Sequence, residues 1–240
     1  DGLIEAFAKF KAQGILPAAV SVMLVNNELG TIQPVGGLCR AAKEACPALL
    51  FHTDAVQAMA HMAVDVRRLG VDMLSASAHK FNGPRGAGFM YIRKGSIDEP
   101  YIHGGAQEHG LRAGTENTAG IVGTAEALRL AVSEMAERNE RALAVEKAFI
   151  AELDRNGVDY ILNGVSDENG ESDTGRSRVP GTVSLSLPGM NGERLLHRLD
   201  LMGISVSTGS ACNGSSDDVS HVLRAIGLED AAAHGTRRRS

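Results

Sequence analysis

"VDMLSASAHKFNGPRGAGFMYIR", residues 71–93, puts a lysine in an unusual setting. VDMLSASA (71–78) reads as one strand and GAGFMYIR (86–93) as the next, with Lys80 just past the first and a Gly/Pro-rich turn behind it. Lysine ordinarily belongs on a solvated face. An amine held in a partly apolar site gives up its proton more readily and forms an imine with an aldehyde. A lysine snorkelling from a strand end is the plainer reading, so its neighbours decide.

Upstream, AAVSVMLV (18–25) is an uninterrupted apolar run of the kind found in buried parallel strands. GGLCRAAKEAC (36–46) reads as a helix and LLFHT (49–53) as a strand. Strands alternating with helices over short links predict an α/β sheet covered on both faces. Such sheets take their ligands at the carboxyl ends of the strands. NNE (26–28), TDAVQ (53–57) and SAHK (77–80) all follow strand ends, so three polar clusters converge on one rim.

The chain opens on a helical pattern, DGLIEAFAKFKAQG, stopped by Gly14. A long helical pattern runs from Thr118 to Leu153 with a break near Asn139, and residues 163–178 read as a mobile loop. GTVSLSLP then reads as a strand, GERLLHRLDLMG as a helix, ISVSTG as a strand and DDVSHVLRAIG as a helix. Residues 1–133 are thus expected to form a larger α/β domain and 134–240 a smaller α+β one. Both ends are read as cuts through something longer.

Composition narrows the function. The 240 residues are 43% hydrophobic and 22% charged, ordinary for a globular chain. A net charge of −5 offers no basic surface for nucleic acid or an anionic membrane. No apolar run approaches the roughly 20 residues of a membrane span, and no signal peptide is recognised. Three cysteines, Cys39, Cys46 and Cys212, show no paired spacing, which points to a reducing compartment and the cytoplasm.

Several residues on the expected rim share one chemistry. Asp54 could hold a proton on a heterocyclic nitrogen, as pyridoxal phosphate requires if its ring is to act as an electron sink; it could equally cap a helix. Gln57 lies close by, and Asn27 offers an amide to a phenolic oxygen or serves a turn. Ser77 and His79 can bond phosphate oxygens, although His79 could simply pack. Thr115, in GTEN before the long helix, faces a favourable dipole or a plain capping role. Cys212 sits among small residues in STGSACNGSS (207–216), a setting that suits a nucleophilic thiol. His52, Asp54, His61 and His79 lack a metal-ligand spacing, so no metal is expected.

VNNELGTIQPV, FHTDAVQAMAHMAVDV, the 71–93 stretch, HGGAQEHGLRAGTEN and ISVSTGSACNG together resemble the cysteine desulfurases, NifS/IscS-type enzymes of the class V aminotransferase fold. The resemblance runs from about Val20 to Arg238. It implies a pyridoxal-phosphate-dependent transferase of fold type I, here an incomplete large domain plus a smaller α+β domain. It also implies conversion of L-cysteine to L-alanine. Lys80 then carries the cofactor, Asp54 pairs with its ring nitrogen, Asn27 and Gln57 lie near its 3-hydroxyl, and Ser77 and His79 hold its phosphate. Thr115 reaches the phosphate of a partner subunit, which implies a homodimer. Cys212 receives the sulfur as a persulfide and passes it to an iron–sulfur scaffold or a sulfurtransferase.

Compared with that family, the amino-terminal segment with its phosphate loop and ring-stacking histidine is expected to be missing. Arg238 takes the register of the substrate-carboxylate arginine, with Arg237 and Arg239 in place of apolar residues. A selenocysteine or cystine lyase of the same fold, and a non-catalytic remnant, are the alternatives.

Overall fold

The computed structural model describes residues 2–164, 177–207, 220–228 and 236–239, the last four by backbone alone. The chain divides into two compact units. One comprises Asp1–Leu24 and Gln33–Met135; the other comprises Val25–Ile32 and Ala136–Ser240.

The first unit is built on a four-stranded sheet in the order β1 (Ala19–Met23), β2 (Leu50–Asp54), β3 (Met73–Ser77), β4 (Gly88–Ile92). β1–β2 and β2–β3 are parallel, as the apolar runs predict. β4, however, runs antiparallel to β3. The Asn82–Ala87 link is a tight turn with no room for the crossover that a parallel partner needs. Gly88 has a packing reason: a Cβ there would lie 2.5 Å from the Ala76 carbonyl oxygen. Gly88→Ala is therefore expected to lower stability by about 1–3 kcal/mol, measured as a shift in the urea midpoint followed by circular dichroism.

α1 (Gly2–Ala12) packs on α2 (Val35–Ala45), which in turn packs on a single turn, α3 (Val66–Leu69), before β3. Gly14, at φ +70°, ends α1 where the sequence predicts a stop. Phe51, Leu74, Val71, Leu49, Val35 and Cys39 are fully buried. Alternate residues of β2 and β3 are only half-buried, so one sheet face is less covered than the sequence predicts.

A buried carboxylate ties the elements of this unit together. Asp72, just before β3, receives Lys43 Nζ from α2 at 2.6 Å on Oδ1 and the Phe51 amide of β2 at 2.8 Å on Oδ2. Arg93, just past β4, approaches Oδ1 with Nε at 3.3 Å and donates Nη2 to the Gly70 and Val71 carbonyls at 2.8 Å each.

The long helical pattern breaks at Glu134 rather than near Asn139, giving α4 (Thr118–Ser133) and α5 (Met135–Arg155). Ser133 bonds its hydroxyl back to the Leu130 carbonyl, which also receives the Glu134 amide, so the last turn of α4 closes on itself. Within the first unit, α4 packs on the turn after β3: Phe81, Ala78, Ala60 and Ala131 form one buried cluster.

In the second unit, a three-stranded antiparallel sheet has the order β5 (Ile161–Leu162), β6 (Val183–Ser186), β7 (Thr236–Arg239), joined by α6 (Gly192–Leu201) and α7 (His221–Ala225). β6 is buried on both faces. Its polar face is satisfied by Asn163, whose Nδ2 donates to Ser184 Oγ and Ser186 Oγ at 3.2 and 3.0 Å. The expected strand ISVSTG is not one over its described part. Ile204 instead donates its amide to Leu199 past Gly203, at φ +75°, and so finishes α6; residues 208 and 209 lie outside the described residues.

The loop expected at 163–178 lies outside the described residues over 165–176, but its flanks are anchored. Arg178 is buried against Glu146 of α5 and the Thr182 carbonyl, and pairs its backbone with Thr31. Ile32 and Val179 add amide bonds to Ser177 and Gly30, at 2.9 and 3.0 Å. Gly30, at φ +73°, sits where a Cβ would meet Thr182 at 2.9 Å, so only glycine suits both backbone and space.

Candidate active site

Five of the expected site residues fall on the carboxyl ends of two adjacent strands of the first unit. Asp54 is the last residue of β2, and Gln57 lies in the turn that follows. Ser77 is the last residue of β3, and His79 and Lys80 lie in the 3-10 turn Ala78–Phe81. Asp54 is in register with Ser75, two residues short of the β3 end. Parallel strands lie about 4.8 Å apart, so the two ends form one ledge.

Local chemistry shapes each side chain. Asp54 Oδ1 accepts the Val56 amide at 2.8 Å, a turn-capping bond of the kind its plainer reading expects. That uses one oxygen; the second takes no hydrogen bond among the described residues, and the residue is half-buried. Ala58 and Met59 both return their amides to Ala55, at 2.9 and 3.1 Å, fixing the turn that carries the half-buried Gln57.

The 3-10 turn explains the setting of Lys80. Ala78 and Phe81, three residues apart, share its inner side and are 0% and 2% exposed. His79 and Lys80 are thereby turned outward and are exposed, so the amine has an apolar floor but not the partly apolar enclosure that the sequence suggests. Lys80 forms no ion pair among the described residues. Ser77 Oγ and His79 Nδ1 share a hydrogen bond of 2.8 Å, which orients the imidazole.

The other candidates do not lie on these two strand ends. Asn27 belongs to the second unit, in a loop prebuilt by Asn26, whose Oδ1 accepts the Glu28 and Leu29 amides at 2.8 and 3.0 Å. Thr115 is exposed in the segment before α4. The cap of that helix is Asn117, which accepts the Gly120 amide at 3.0 Å, so the Thr115 hydroxyl is not spent on capping. Arg238 lies on the edge strand β7 with its backbone paired to Ser184. Cys212 lies outside the described residues. Of the other cysteines, Cys39 has its thiol pushed up chiefly by burial, which makes it a poor nucleophile.

Sequence reasoning weighed His52 only as a metal ligand. Its Nδ1 shares a 2.8 Å hydrogen bond with Ser21 Oγ and its Nε2 a 3.1 Å bond with Ser75 Oγ. The signal was present in the alternation of β2, which places His52 and Asp54 on one face. Among the described residues, no three His, Cys, Asp or Glu side chains gather in a way that could hold a metal.

The donor set fits pyridoxal phosphate. Among the described residues, a half-buried carboxylate has an oxygen to spare, an amine lacks an ionic partner, and a hydroxyl and an imidazole precede that amine in the chain. The family model for aminotransferase class-V matches residues 13–232. The chain belongs to the aminotransferase class-V family. A class-V relative, the cysteine desulfurase IscS of Dictyoglomus turgidum, is 47% identical over 219 residues, covering 91% of this chain and 53% of that protein.

Among solved structures of class-V relatives, a NifS-like protein superposes with a TM-score of 0.78 at 38% identity, covering 93% of this chain and 55% of that one. SspA in complex with cysteine gives 0.68 at 34%, covering 97% and 62%. The α/β architecture is therefore that of the fold type I class-V enzymes. The chain spans about half the length of the curated relatives it matches.

Proposed function

We propose that this class-V chain acts in a pyridoxal-phosphate-dependent cysteine desulfurase, taking L-cysteine to L-alanine. One observation carries the reading: Asp54 and Lys80 stand at the carboxyl ends of neighbouring parallel strands, with Ser77 and His79 between them in the chain. The naming of relatives as cysteine desulfurases supports the choice of substrate, as does a neighbour solved with cysteine.

Lys80 would hold the cofactor through its amine, Asp54 through the ring nitrogen, Asn27 and Gln57 near the 3-hydroxyl, and Ser77 and His79 at the phosphate. When bound, pyridoxal phosphate supplies an electron sink for charge that develops at the substrate α-carbon. Asp54 would keep the ring-nitrogen proton in place. Arg238 is assigned to the substrate carboxylate, its cationic fork matching that group.

The sulfur chemistry belongs to Cys212. Its thiolate attacks the cysteine sulfur as the carbon–sulfur bond breaks. Sulfur leaves as a persulfide on Cys212, and the bonding pair stays with the carbon skeleton, which becomes alanine once protonated. The persulfide then passes to an acceptor, an iron–sulfur scaffold or a sulfurtransferase. Exposed Ile121, Val122 and Val132 on α4 support a homodimer in which Thr115 reaches the phosphate of the partner subunit. The free thiols Cys39 and Cys46 suit the cytoplasm.

The test is cysteine turnover by the cofactor-loaded protein. Alanine and acceptor-bound sulfur are expected in equal amounts, and Cys212→Ser should abolish the persulfide seen by mass spectrometry while leaving cofactor absorbance intact. Alanine release at the wild-type rate from Cys212→Ser would refute the persulfide route. Selenocysteine offered in competition measures the preference for sulfur.

A further inference from the structure

His52 lies at the middle of β2, between Ser21 at the middle of β1 and Ser75 at the middle of β3. Its two ring nitrogens bond to the hydroxyls of both, at 2.8 and 3.1 Å. Each serine can donate or accept, so the row is satisfied in either imidazole tautomer. The register makes the second bond informative. His52 is paired with Met73, and Ser75 is paired with Asp54. His52 therefore reaches diagonally forward to a hydroxyl that stands directly beside the Asp54 carboxylate, one strand spacing away.

A serine hydroxyl beside a carboxylate is a natural donor to it, and a charge-assisted bond of that kind is strong. Ser75 does not make one. Its partner is His52, and among the described residues Asp54 spends only Oδ1, on Val56. We infer that His52 is a positioning residue that holds the Ser75 hydroxyl away from Asp54 and so reserves a carboxylate oxygen for the protonated ring nitrogen of the cofactor. The inference rests on the functional reading above, and deepens it with a residue that acts through Ser75.

This role makes a prediction that a purely structural one does not. In His52→Phe the ring volume is kept and both hydrogen bonds are lost, so Ser75 is released to compete for Asp54. Pyridoxal phosphate titrated into the full chain and followed by visible absorbance should bind about five- to tenfold more weakly, the loss expected when one polar interaction is displaced. Removing the competitor as well, in His52→Phe with Ser75→Ala, should restore binding to near the wild-type level. Ser75→Ala alone should bind at least as tightly as wild type. A double variant that binds as weakly as His52→Phe, or a His52→Phe that binds normally, overturns the inference. If the phenylalanine variant fails to fold, His52→Ala replaces it in the same comparison.

A crystal structure of His52→Phe without added cofactor supplies a second readout. Ser75 Oγ is expected within hydrogen-bonding distance of Asp54, about 2.7 Å; a Ser75 still turned away sinks the inference. Should the wild-type chain take up no pyridoxal phosphate, the functional reading fails, and this structure alone decides what His52 does.

Discussion

Asp72→Ala is expected to lower the unfolding free energy by about 2–4 kcal/mol. The carboxylate is 6% exposed and serves three donors from three parts of the first unit, namely Lys43, the Phe51 amide and Arg93. Its removal strands the Phe51 amide inside the sheet, which by itself costs about 1–3 kcal/mol. Lys43 and Arg93 are 32% and 44% exposed, so both can rehydrate. For that reason the expected range begins below the 3–5 kcal/mol typical of a charge left buried and alone. Asp72→Asn keeps an acceptor for Phe51 and should lose about half as much. Urea unfolding followed by circular dichroism measures both, the chain having no tryptophan. A change for Asp72→Ala within about 0.5 kcal/mol, the range of ordinary surface substitutions, would contradict this account.

Lys80→Ala is expected to have the largest effect on activity. Cysteine turnover should fall on the order of a thousandfold or more, as when other essential groups are removed. Borohydride should fix pyridoxal phosphate covalently to wild type, on the peptide that contains Lys80, and should fix none to the variant. Because Lys80 is exposed and outside every ion pair among the described residues, the substitution should leave the urea midpoint nearly unchanged. Loss of activity with an intact fold separates a chemical role from a structural one. Covalent fixation that persists in Lys80→Ala would assign the amine to another lysine.

The ledge was legible because chemistry and local pattern coincide there. Apolar runs reveal strands, polar residues just past them reveal the rim, and Asp54, Gln57, Ser77, His79 and Lys80 all satisfy both conditions. The direction of β4 was less visible, since apolar spacing does not encode strand sense. Only the shortness of the turn after Phe81 carries that information. The helix break at Glu134 was missed because a serine bonding back to its own helix looks like any other polar residue in a helical pattern. Asp72 and the Arg178–Glu146 pair were not legible at all. Their partners lie 21 to 32 residues away in the chain, and only folding brings them together. Nor does any local pattern announce that Val25–Ile32, directly after the first strand, belongs with the far end of the chain.

That eight-residue excursion affects how the protein is made. Val25–Ile32 emerges from the ribosome early, yet its partners Ser177, Arg178 and Val179 come much later. At about 5–20 residues per second, the roughly 145 residues between them take about 7–30 s to synthesise. Throughout that interval the segment bearing Asn27 has its internal turn bonds but not its pairings with residues 177–179. The second unit therefore cannot mature as an independent carboxyl-terminal module. Expressed alone as residues 136–240, it would lack an internal strand-like segment, so separating the two units requires cutting the chain in three places rather than one.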